Sequence, residues 1–309
     1  METLQSTMHP AGTDAAAIAQ LSWVLFVGGG LVFAVVMGLT AIASLGAERR
    51  RRFLSERKFI VIAGAILPAI VLTALLVYGL TLTGTRIAIA EADALRIEVT
   101  GEQWWWRVRY PDSGGDIITA NEIRIPADRP IELTLLSADV IHSFWVPNLA
   151  GKIDMIPGTV NRLTLRATQP GEYRGQCAEF CGGPHALMAF HVVALEPAAF
   201  DIWLAAQREP AASPETALQQ EGADLFVASG CGGCHSIRGT AAIGTIGPDL
   251  THVGGRLTIA AATLPADAAS FARWIRDNQY IKPNNLMPPF GTLSDDELAA
   301  LGAYLEHLK

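Results

Sequence analysis

Two long apolar runs constrain the fold of this chain more than any other feature of its sequence. Residues 15–47 and residues 59–85 contain no Asp, Glu, Lys or Arg, over 33 and 27 positions respectively. Because about 20 apolar residues are enough to cross the hydrocarbon core of a bilayer, each run predicts a membrane-spanning helix. We expect the helices at about 18–46 and 59–83, as a transmembrane hairpin within residues 1–86. A single large soluble enzyme is therefore not the fold to expect.

The charges around these runs predict the orientation of the hairpin. Residues 48–58 hold six basic and two acidic side chains, which is typical of a cytoplasmic loop. Residues 1–47 contain no Lys or Arg, so the first run lacks the basic start of a signal peptide and is interpreted as a membrane helix. Both termini then lie on the periplasmic or extracytoplasmic side of a bacterial cell membrane. With 30 acidic against 23 basic residues in all, the exported part is acidic, which excludes nucleic acid as a partner and favours a basic protein.

The exported part divides into a strand-rich and a helical half. Apolar and polar residues alternate around Ile97, Ile123 and Leu163, with breaks such as the predicted turn at 111–115. This period of two predicts short antiparallel strands and an all-β sandwich or barrel over residues 90–200. An acidic stretch with Ala and Pro predicts a linker at 201–217. Residues 218–309 predict an all-α domain, whose last helix begins at the capping box of Ser294 and Glu297.

A cluster of potential metal ligands lies in the strand-rich half. Cys177, Cys181, His185 and Met188 follow one another at separations of four, four and three, and His142 lies 35 residues before Cys177. Two glycines and a proline after Cys181 exclude a regular helix, so we expect a loop that closes around a metal. Two thiolates with imidazole and a weak thioether are the ligand set that selects copper.

Two other uses of these cysteines stay open at this point. A disulfide between Cys177 and Cys181 is compatible with an oxidising compartment, and a Cys2His2 set also suits a structural zinc ion. Copper is favoured because Met188 has no use in a closed zinc site. His191 and Met155 are interpreted as an ordinary strand residue and a packing residue.

The helical half contains the motif Cys231-Gly-Gly-Cys234-His235. Its two thiols can form thioethers to one haem, and its imidazole can bind the iron, with zinc or a disulfide as the alternatives. Met287 is the expected sixth ligand because a thioether opposite histidine stabilises reduced iron, and His252 is its rival. All four cysteines of the chain are then used, as suits an exported protein.

Together these motifs resemble subunit II of cytochrome c oxidase. The resemblance covers residues from about 15 to 205 and includes the apolar hairpin and the cysteine-containing loop. Three further runs carry it, namely Gly101-Glu-Gln-Trp-Trp-Trp106, Asp139-Val-Ile-His-Ser-Phe-Trp-Val-Pro147 and Gly151-Lys-Ile-Asp-Met-Ile-Pro-Gly158. It implies a cupredoxin-like Greek-key barrel or sandwich. The helical half resembles a class I cytochrome c domain fused to the C-terminus of such a subunit.

The resemblance implies a dinuclear copper centre, CuA, in which two shared thiolates spread one electron over both ions. The implied ligands are Cys177 and Cys181 as bridges, His142 and His185 on one copper each, and Met188 and the backbone carbonyl of Glu179 as weak ligands. The Glu179 side chain would face a magnesium or manganese ion shared with subunit I. Trp104 would lie on the side where electrons arrive.

In the helical half, the resemblance implies that the backbone carbonyl of Pro248 accepts the Nδ1 proton of His235 and so selects its tautomer. It also implies that Gly222 and Phe226 pack against Tyr304, where the first and last helices cross.

The sequence departs from the family at two places. Aligned on Pro68, this chain has Val61, Gly64 and Ala65 where many members have a Glu and a Trp-Thr pair, and it has Thr159 where many have Arg. The family's proton-uptake role for that Glu, and a haem-propionate contact from that Arg, are therefore not carried over to this chain.

The expected function is that of the electron-accepting subunit of a membrane-bound haem-copper oxidase. Electrons would pass from cytochrome c, or from another membrane or periplasmic donor, through haem c and CuA to the haem of subunit I, where O2 is reduced to water and protons are pumped. Subunit III is a further expected partner, and the chain is not expected to be catalytic alone. The alternatives are the CuA subunit of a nitric oxide reductase and a membrane-tethered electron carrier without an enzyme partner.

Overall fold

The computed structural model describes residues 5–84, 93–111 and 115–309. Residues 112–114 of the predicted turn and the predicted start of the all-β domain at residue 90 therefore lie outside the described residues. The chain forms two compact units, one made of the apolar helices and one that holds both the strands and the C-terminal helices.

The apolar unit is helical. It contains α1 (Thr13–Leu45), α2 (Glu48–Leu54), α3 (Arg57–Val61), a π-helical turn (Ile62–Ile66) and α4 (Leu67–Gly84). The π turn ends two residues before Pro68, which has no backbone N–H to continue the regular hydrogen-bond pattern. Helix α1 and the stretch Arg57–Thr81 are each long and apolar enough to cross a membrane. The prediction of two apolar N-terminal helices is confirmed.

The strand-rich half is a sandwich of two five-stranded sheets. Its described strands are β1 (Leu95–Glu102), β2 (Trp105–Tyr110), β3 (Ile117–Ala120), β4 (Glu122–Pro126), β5 (Ile131–Ser137), β6 (His142–Trp145), β7 (Ile153–Met155), β8 (Asn161–Leu165), β9 (Gly171–Cys177) and β10 (Ala189–Leu195). One sheet has the order β3-β2-β1-β5-β8 and the other the order β4-β10-β9-β6-β7. Alternate residues of the strands, such as Ile97 and Val99, are buried between the sheets.

The direction of two strand pairs differs from the expectation. Strand β1 pairs with β5 in parallel, and β4 pairs with β10 in parallel, whereas the remaining pairs of the sandwich are antiparallel. The prediction of antiparallel strands throughout was wrong for these pairs. The alternation of apolar residues shows which side chains face the core, but it carries no information on the direction of the neighbouring strand.

The C-terminal half is helical. Helix α5 (Pro197–Ala206) precedes it and packs Trp203 against the core of the sandwich. The C-terminal half itself contains α6 (Ala217–Ala228), α7 (Ala268–Ile281) and α8 (Asp295–His307), with a short hairpin of β11 (Thr258–Ile259) and β12 (Leu264–Pro265) that the sequence pattern did not predict. The capping box of Ser294 and Glu297 begins α8, as expected. Helices α6 and α8 cross at Gly222, and the ring of Phe226 lies edge-on to that of Tyr304 at 6.1 Å.

The predicted linker is not a free tether. Its first residues belong to α5, and the rest runs along the helical half. The guanidinium group of Arg238 donates hydrogen bonds to the carbonyls of Gln207 and Glu209, at 2.6 and 3.2 Å. The carbonyl of Ser213 lies 2.9 Å from Nε2 of His307. These contacts hold the linker against the helices.

Candidate functional site

The expected copper ligands lie on neighbouring elements of one sheet. His142 begins β6, Cys177 ends β9, and Met188 directly precedes β10, while β9 lies between the other two strands. Cys181 and His185 lie in the loop that joins β9 to β10. The backbone N–H of Cys177 donates to the carbonyl of Met188 at 2.9 Å and closes the base of this loop. The sheet therefore determines where the ends of the ligand loop lie.

The donor atoms of these side chains converge. The two Sγ atoms of Cys177 and Cys181 are 3.7 Å apart, and both thiols are free. Sγ of Cys177 lies 3.8 Å from Nδ1 of His142, and Sγ of Cys181 lies 3.4 Å from Nδ1 of His185. Each sulfur therefore has one imidazole nitrogen beside it, and the sulfurs face each other between the two rings.

The weaker donors complete the cluster. Sδ of Met188 lies 3.8 Å from Sγ of Cys181, and the backbone oxygen of Glu179 lies 3.2 Å from Sγ of Cys177. Met188 is 1% exposed and the two cysteines are at most 5% exposed. A set of two thiols, two imidazoles, a thioether and a carbonyl that is buried apart from the half-buried His185 suits copper, and the thioether has no use in a closed zinc site. The residues present thus fit a copper centre.

A carboxylate orients the first imidazole. Nε2 of His142 lies 2.7 Å from an oxygen of Asp139, which leaves Nδ1 directed at the sulfurs. Burial lowers the pKa of His142, but its hydrogen bonds with Cys177 and Asp139, which accept from the protonated ring, outweigh this effect, so the pKa is raised. The hydrogen bond between the two thiols lowers the pKa of Cys177 to about 4 and raises that of Cys181. Asp139 was not predicted as a site residue, and its spacing of three from His142 is the signal that could have found it.

The aromatic motif supports the copper loop from one side. The indole Nε1 of Trp104 and the amide Nε2 of Gln103 both donate to the carbonyl of Cys181, at 2.9 and 2.8 Å. Gly182 has a φ of 105°, which side-chain-bearing residues rarely adopt, and a Cβ there would lie 3.2 Å from the indole ring. Trp104 is 8% exposed, so it is a support of the ligand loop as well as the residue expected where electrons arrive.

The backbone oxygen of Glu179 lies in the copper cluster, whereas its side chain lies near Lys152. One carboxylate oxygen lies 3.8 Å from Nζ of Lys152, which is 2.7 Å from the carboxylate of Asp154. Among the described residues, the group of three or more His, Cys, Asp or Glu side chains close enough to share a metal is His142, Cys177 and Cys181. A magnesium or manganese ion at Glu179 would therefore take its other ligands from outside this group.

The haem motif follows α6 directly. Cys231 is half-buried and Cys234 is exposed, and both thiols are free. Nδ1 of His235 lies 2.7 Å from the carbonyl of Pro248, which leaves Nε2 available to iron. Burial lowers the pKa of His235 and so favours the neutral imidazole that binds metals. Gly247 lies so close that a Cβ there would be 2.6 Å from the ring, so this position requires glycine.

Met287 lies in the segment between α7 and α8. It is half-buried and packs against the same apolar core as Cys231. Its backbone N–H donates to the side-chain oxygen of Asn285 at 2.9 Å, and its carbonyl accepts from the side chain of Gln279 at 3.0 Å. These bonds hold the methionine loop in place independently of a ligand.

Two further side chains help to decide whether haem fits. Both ring nitrogens of His252 lie near backbone carbonyls, at 3.2 Å from Lys309 and 3.1 Å from Glu209, so this rival ligand is engaged elsewhere. Nε of Arg256 is buried without a hydrogen-bond partner. A buried guanidinium with an unused donor suits a haem propionate. Together with the thiols, the neutral imidazole and the thioether, it makes the residues fit a covalent haem.

Comparisons with known proteins match the strand-rich half and the helical half separately. Residues 115–195 match the family described as cytochrome C oxidase subunit II, periplasmic domain, and residues 219–309 match cytochrome c. Cytochrome c oxidase subunit 2 of Alkalihalophilus pseudofirmus is 37% identical over 256 residues, covering 80% of this chain and 72% of the relative. This chain belongs to the cytochrome c oxidase subunit 2 family. The corresponding subunit of Bacillus subtilis is 32% identical over 270 residues, covering 82% of this chain and 75% of the relative.

A solved structure is also similar to this member of the family. The crystal structure of the periplasmic domain of subunit II of cytochrome oxidase from Bradyrhizobium japonicum is 33% identical, covers 39% of this chain and 97% of that chain, and has a TM-score of 0.37. The predicted family, the cupredoxin-like sandwich and the helical cytochrome c domain are confirmed. The subunit is part of a haem-copper oxidase complex with subunit I, and its family implies CuA copper and haem c.

Proposed function

We propose that this subunit accepts electrons for a membrane-bound cytochrome c oxidase through two cofactors that it holds itself. The CuA ligands are Cys177, Cys181, His142, His185, Met188 and the carbonyl of Glu179, and the haem c ligands are Cys231, Cys234, His235 and Met287. When bound, these cofactors supply one-electron transfer in the order donor, haem c, CuA and haem of subunit I, for reduction of O2 to water coupled to proton pumping. The chain is not catalytic alone.

The observation that carries this proposal is the single buried cluster formed by the sulfur and nitrogen donors. Strands β6 and β9 and the loop before β10 hold these atoms in place, and Asp139 orients His142. Since every donor is supplied by the protein, the set leaves no position for a substrate, which suits electron transfer rather than bond-making chemistry. Because the strands hold the ligands rigidly, the bond lengths around the metal would change little when an electron is gained or lost.

The surroundings of the cluster support its place in a complex. Ile141 and Phe180 lie beside the ligands and are 44% and 76% exposed, so they offer an apolar face to subunit I. Glu179 is proposed to contribute to a magnesium or manganese ion at this boundary. The two apolar helices are proposed to span the bacterial cell membrane, with the loop at 48–58 in the cytoplasm and both cofactor domains on the periplasmic side. Subunit III and a cytochrome c or similar donor are the further partners.

The test is spectroscopic and uses the full chain in the purified oxidase. Electron paramagnetic resonance is expected to show a mixed-valence dinuclear copper signal, and the reduced optical spectrum a six-coordinate c-type haem. Cys181→Ser should remove the dinuclear signal and leave the haem spectrum intact. Met287→Leu should leave the copper signal intact and remove the sixth iron ligand, so that the reduced spectrum is no longer that of a six-coordinate haem. Each variant is the control for the other. A mononuclear copper signal, or zinc at the cysteines, would contradict the proposal.

The chemistry of the whole complex separates the oxidase from the reductase alternative. The relatives described above are subunits of cytochrome c oxidases, which favours O2 over nitric oxide as the electron acceptor. We expect the complex to consume O2 with reduced cytochrome c as donor and to bind a large haem-containing subunit through purification. Nitric oxide consumption without O2 consumption would support the reductase instead.

A further inference from the structure

A buried lysine lies where the cytochrome c domain meets the copper-binding domain. Lys282 directly follows α7 and is 3% exposed. Its Nζ lies 2.5 Å from the carbonyl of Trp104, 2.9 Å from that of Leu187 and 3.4 Å from that of Ala260. The first two carbonyls belong to the copper-binding domain and the third to the cytochrome c domain. A protonated lysine has three N–H donors, so the three carbonyls match its hydrogen-bonding capacity.

The same residue is connected to both ligand loops. Leu187 immediately precedes Met188 of the copper cluster. On the other side, the carbonyl of Lys282 accepts a hydrogen bond of 2.8 Å from the side chain of Asn285, which in turn accepts from the backbone N–H of Met287 at 2.9 Å. One side chain thus links the loop that carries a copper ligand to the loop that carries a haem ligand.

Charged groups form a second contact between the domains. The backbone N–H of Leu257 donates to the carboxylate of Glu122 at 2.7 Å, and Arg124 donates to the carbonyl of Gly255 at 2.8 Å. Glu122 is 6% exposed and is also paired with Arg124 at 2.8 Å. Buried, mutually satisfied charges of this kind are typical of a specific interface rather than a passing encounter.

The segment between these two contacts has an uncommon backbone. Ala260, Ala261 and Ala262 all have positive φ, from 54 to 60°, in the left-handed region that disfavours residues with a Cβ. The carbonyl of Ala260 accepts from Lys282, and that of Ala261 accepts from the backbone N–H of Ala189 at 3.3 Å. Such a conformation persists only where surrounding contacts hold it, and here those contacts cross between the domains.

Burying the amine has a cost that the carbonyls offset. Burial lowers the pKa of Lys282 to about 7, because the charged form loses its hydration. An apolar side chain at position 282 would fill this buried site without the cost of burying a charge. The position is therefore best explained by the directional bonds that an ammonium group makes across the interface.

We propose that Lys282 is a positioning residue for electron transfer, which fixes the haem-binding domain on the copper-binding domain so that electrons cross this contact without a diffusional search. The proposal rests on the proposed function, because it takes the two ligand sets as haem and copper sites. It concerns a residue that belongs to neither ligand set. It also means that the side of Trp104 expected to receive electrons is occupied by the chain's own cytochrome c domain.

The first test measures the contact itself, without any electron transfer. Lys282→Met keeps the length of the side chain and removes its charge, and Lys309→Met, at the exposed C-terminal residue, is the matched control. Amide hydrogen exchange of Ala189 and Leu257 is followed at about pH 6, where Lys282 is protonated. We expect both amides to exchange at least about tenfold faster in Lys282→Met and to be unchanged in Lys309→Met.

The second test measures the rate of copper reduction after rapid reduction of the haem, in the purified oxidase. In the unmodified protein the rate should not depend on ionic strength, since a docked domain makes no diffusional encounter. In Lys282→Met it should fall at least about tenfold and become dependent on salt, while the haem spectrum and the copper signal stay the same. A role in the folding of the cytochrome c domain alone would alter the haem spectrum and would not create a salt dependence.

The outcomes separate this inference from the proposed function. Intact cofactor signals with unchanged exchange and unchanged transfer in Lys282→Met would overturn the inference and leave the function standing. Absence of the copper or haem signal in the unmodified protein would remove the function, while the exchange measurement still decides whether Lys282 holds the domains together. If Lys282→Met does not fold, amide exchange in the unmodified protein tests whether the two domains are docked. Rapid exchange of the Ala189 and Leu257 amides there would overturn the docked arrangement.

Discussion

The two cofactor sites of this subunit are built in different ways. The proposed copper ligands that are at most 5% exposed are His142, Cys177, Cys181 and Met188. The expected haem ligands are half-buried or exposed, namely Cys231, Cys234, His235 and Met287. Paired strands bring the copper ligands together as a consequence of folding. Short helical turns and loops hold the expected haem ligands, and a bound haem would supply further packing between them. The copper site is therefore preorganised by the sheet, whereas the haem site, apart from its hydrogen-bonded Met287 loop, depends more on its occupant.

The largest test of this difference removes each cofactor in turn. Replacing both Cys231 and Cys234 by Ser prevents covalent attachment of haem, and we expect the cytochrome c domain to lose its cooperative unfolding transition. Removing copper with a chelator should lower the midpoint of thermal unfolding of the sandwich but leave it folded, because its apolar core extends through both sheets, well beyond the copper ligands. Circular dichroism during heating follows both domains. Unfolding of the sandwich on copper removal would show that it is not preorganised.

A pair of glycine substitutions compares the packing of the two domains. A Cβ at Gly222 would lie 2.1 Å from the backbone oxygen of Ala300, which cannot move without shifting α8. A Cβ at Gly175 would lie 2.2 Å from the ring of Phe190, whose side chain can adjust more easily. We expect Gly222→Ala to cost about 3 kcal/mol or more and Gly175→Ala about 1–3 kcal/mol. The loss of unfolding free energy is measured by urea unfolding, followed by haem absorbance for Gly222→Ala and by tryptophan fluorescence for Gly175→Ala. Equal effects would argue against a more rigid helix crossing.

The copper site has a carboxylate that orients its imidazole, whereas the haem site uses the backbone carbonyl of Pro248. Asp139→Asn should therefore weaken copper binding by roughly 10- to 100-fold without changing the haem spectrum, because His142 loses its orienting partner. Competition with a copper chelator gives the affinity. Asp116→Asn, on the far edge of the first sheet, is the control. An unchanged affinity in Asp139→Asn would mean that β6 alone positions the ring.

The smallest expected effect is a pH dependence confined to the sandwich. Burial lowers the pKa of His191 below its ordinary 6.5. The unfolded chain then binds this proton more readily than the folded chain, so the unfolding free energy should fall as the pH drops through about 6.5. His191→Gln should reduce the change in stability between about pH 7 and pH 5 for the sandwich and not for the cytochrome c domain. An identical pH profile in the variant would show that other groups are responsible.

Local signals in the sequence pointed to the candidate site residues where function depends on spacing. The structure brings together the donor atoms of the run from Cys177 to Met188. It places Cys231 of the C-x-x-C-H motif and Met287 against one apolar core. The capping box at Ser294 predicted the start of α8. The parallel pairing of β1 with β5 and the hairpin of β11 and β12 were missed, because a period of two reports burial and not the identity or direction of a neighbour.

The sequence by itself determined that the chain has two apolar helices, a strand-rich half and a helical half, and which side chains are the candidates for binding copper and haem. Each of these follows from residue type and short spacing, which act over one helix, strand or loop. Only the tertiary structure decided that Asp139 orients His142, that Arg256 has an unused buried donor, and that Lys282 lies between the two ligand loops. These relations join residues distant in the chain. They depend on which elements pack together, and therefore on the free energy of the whole fold rather than on any local pattern.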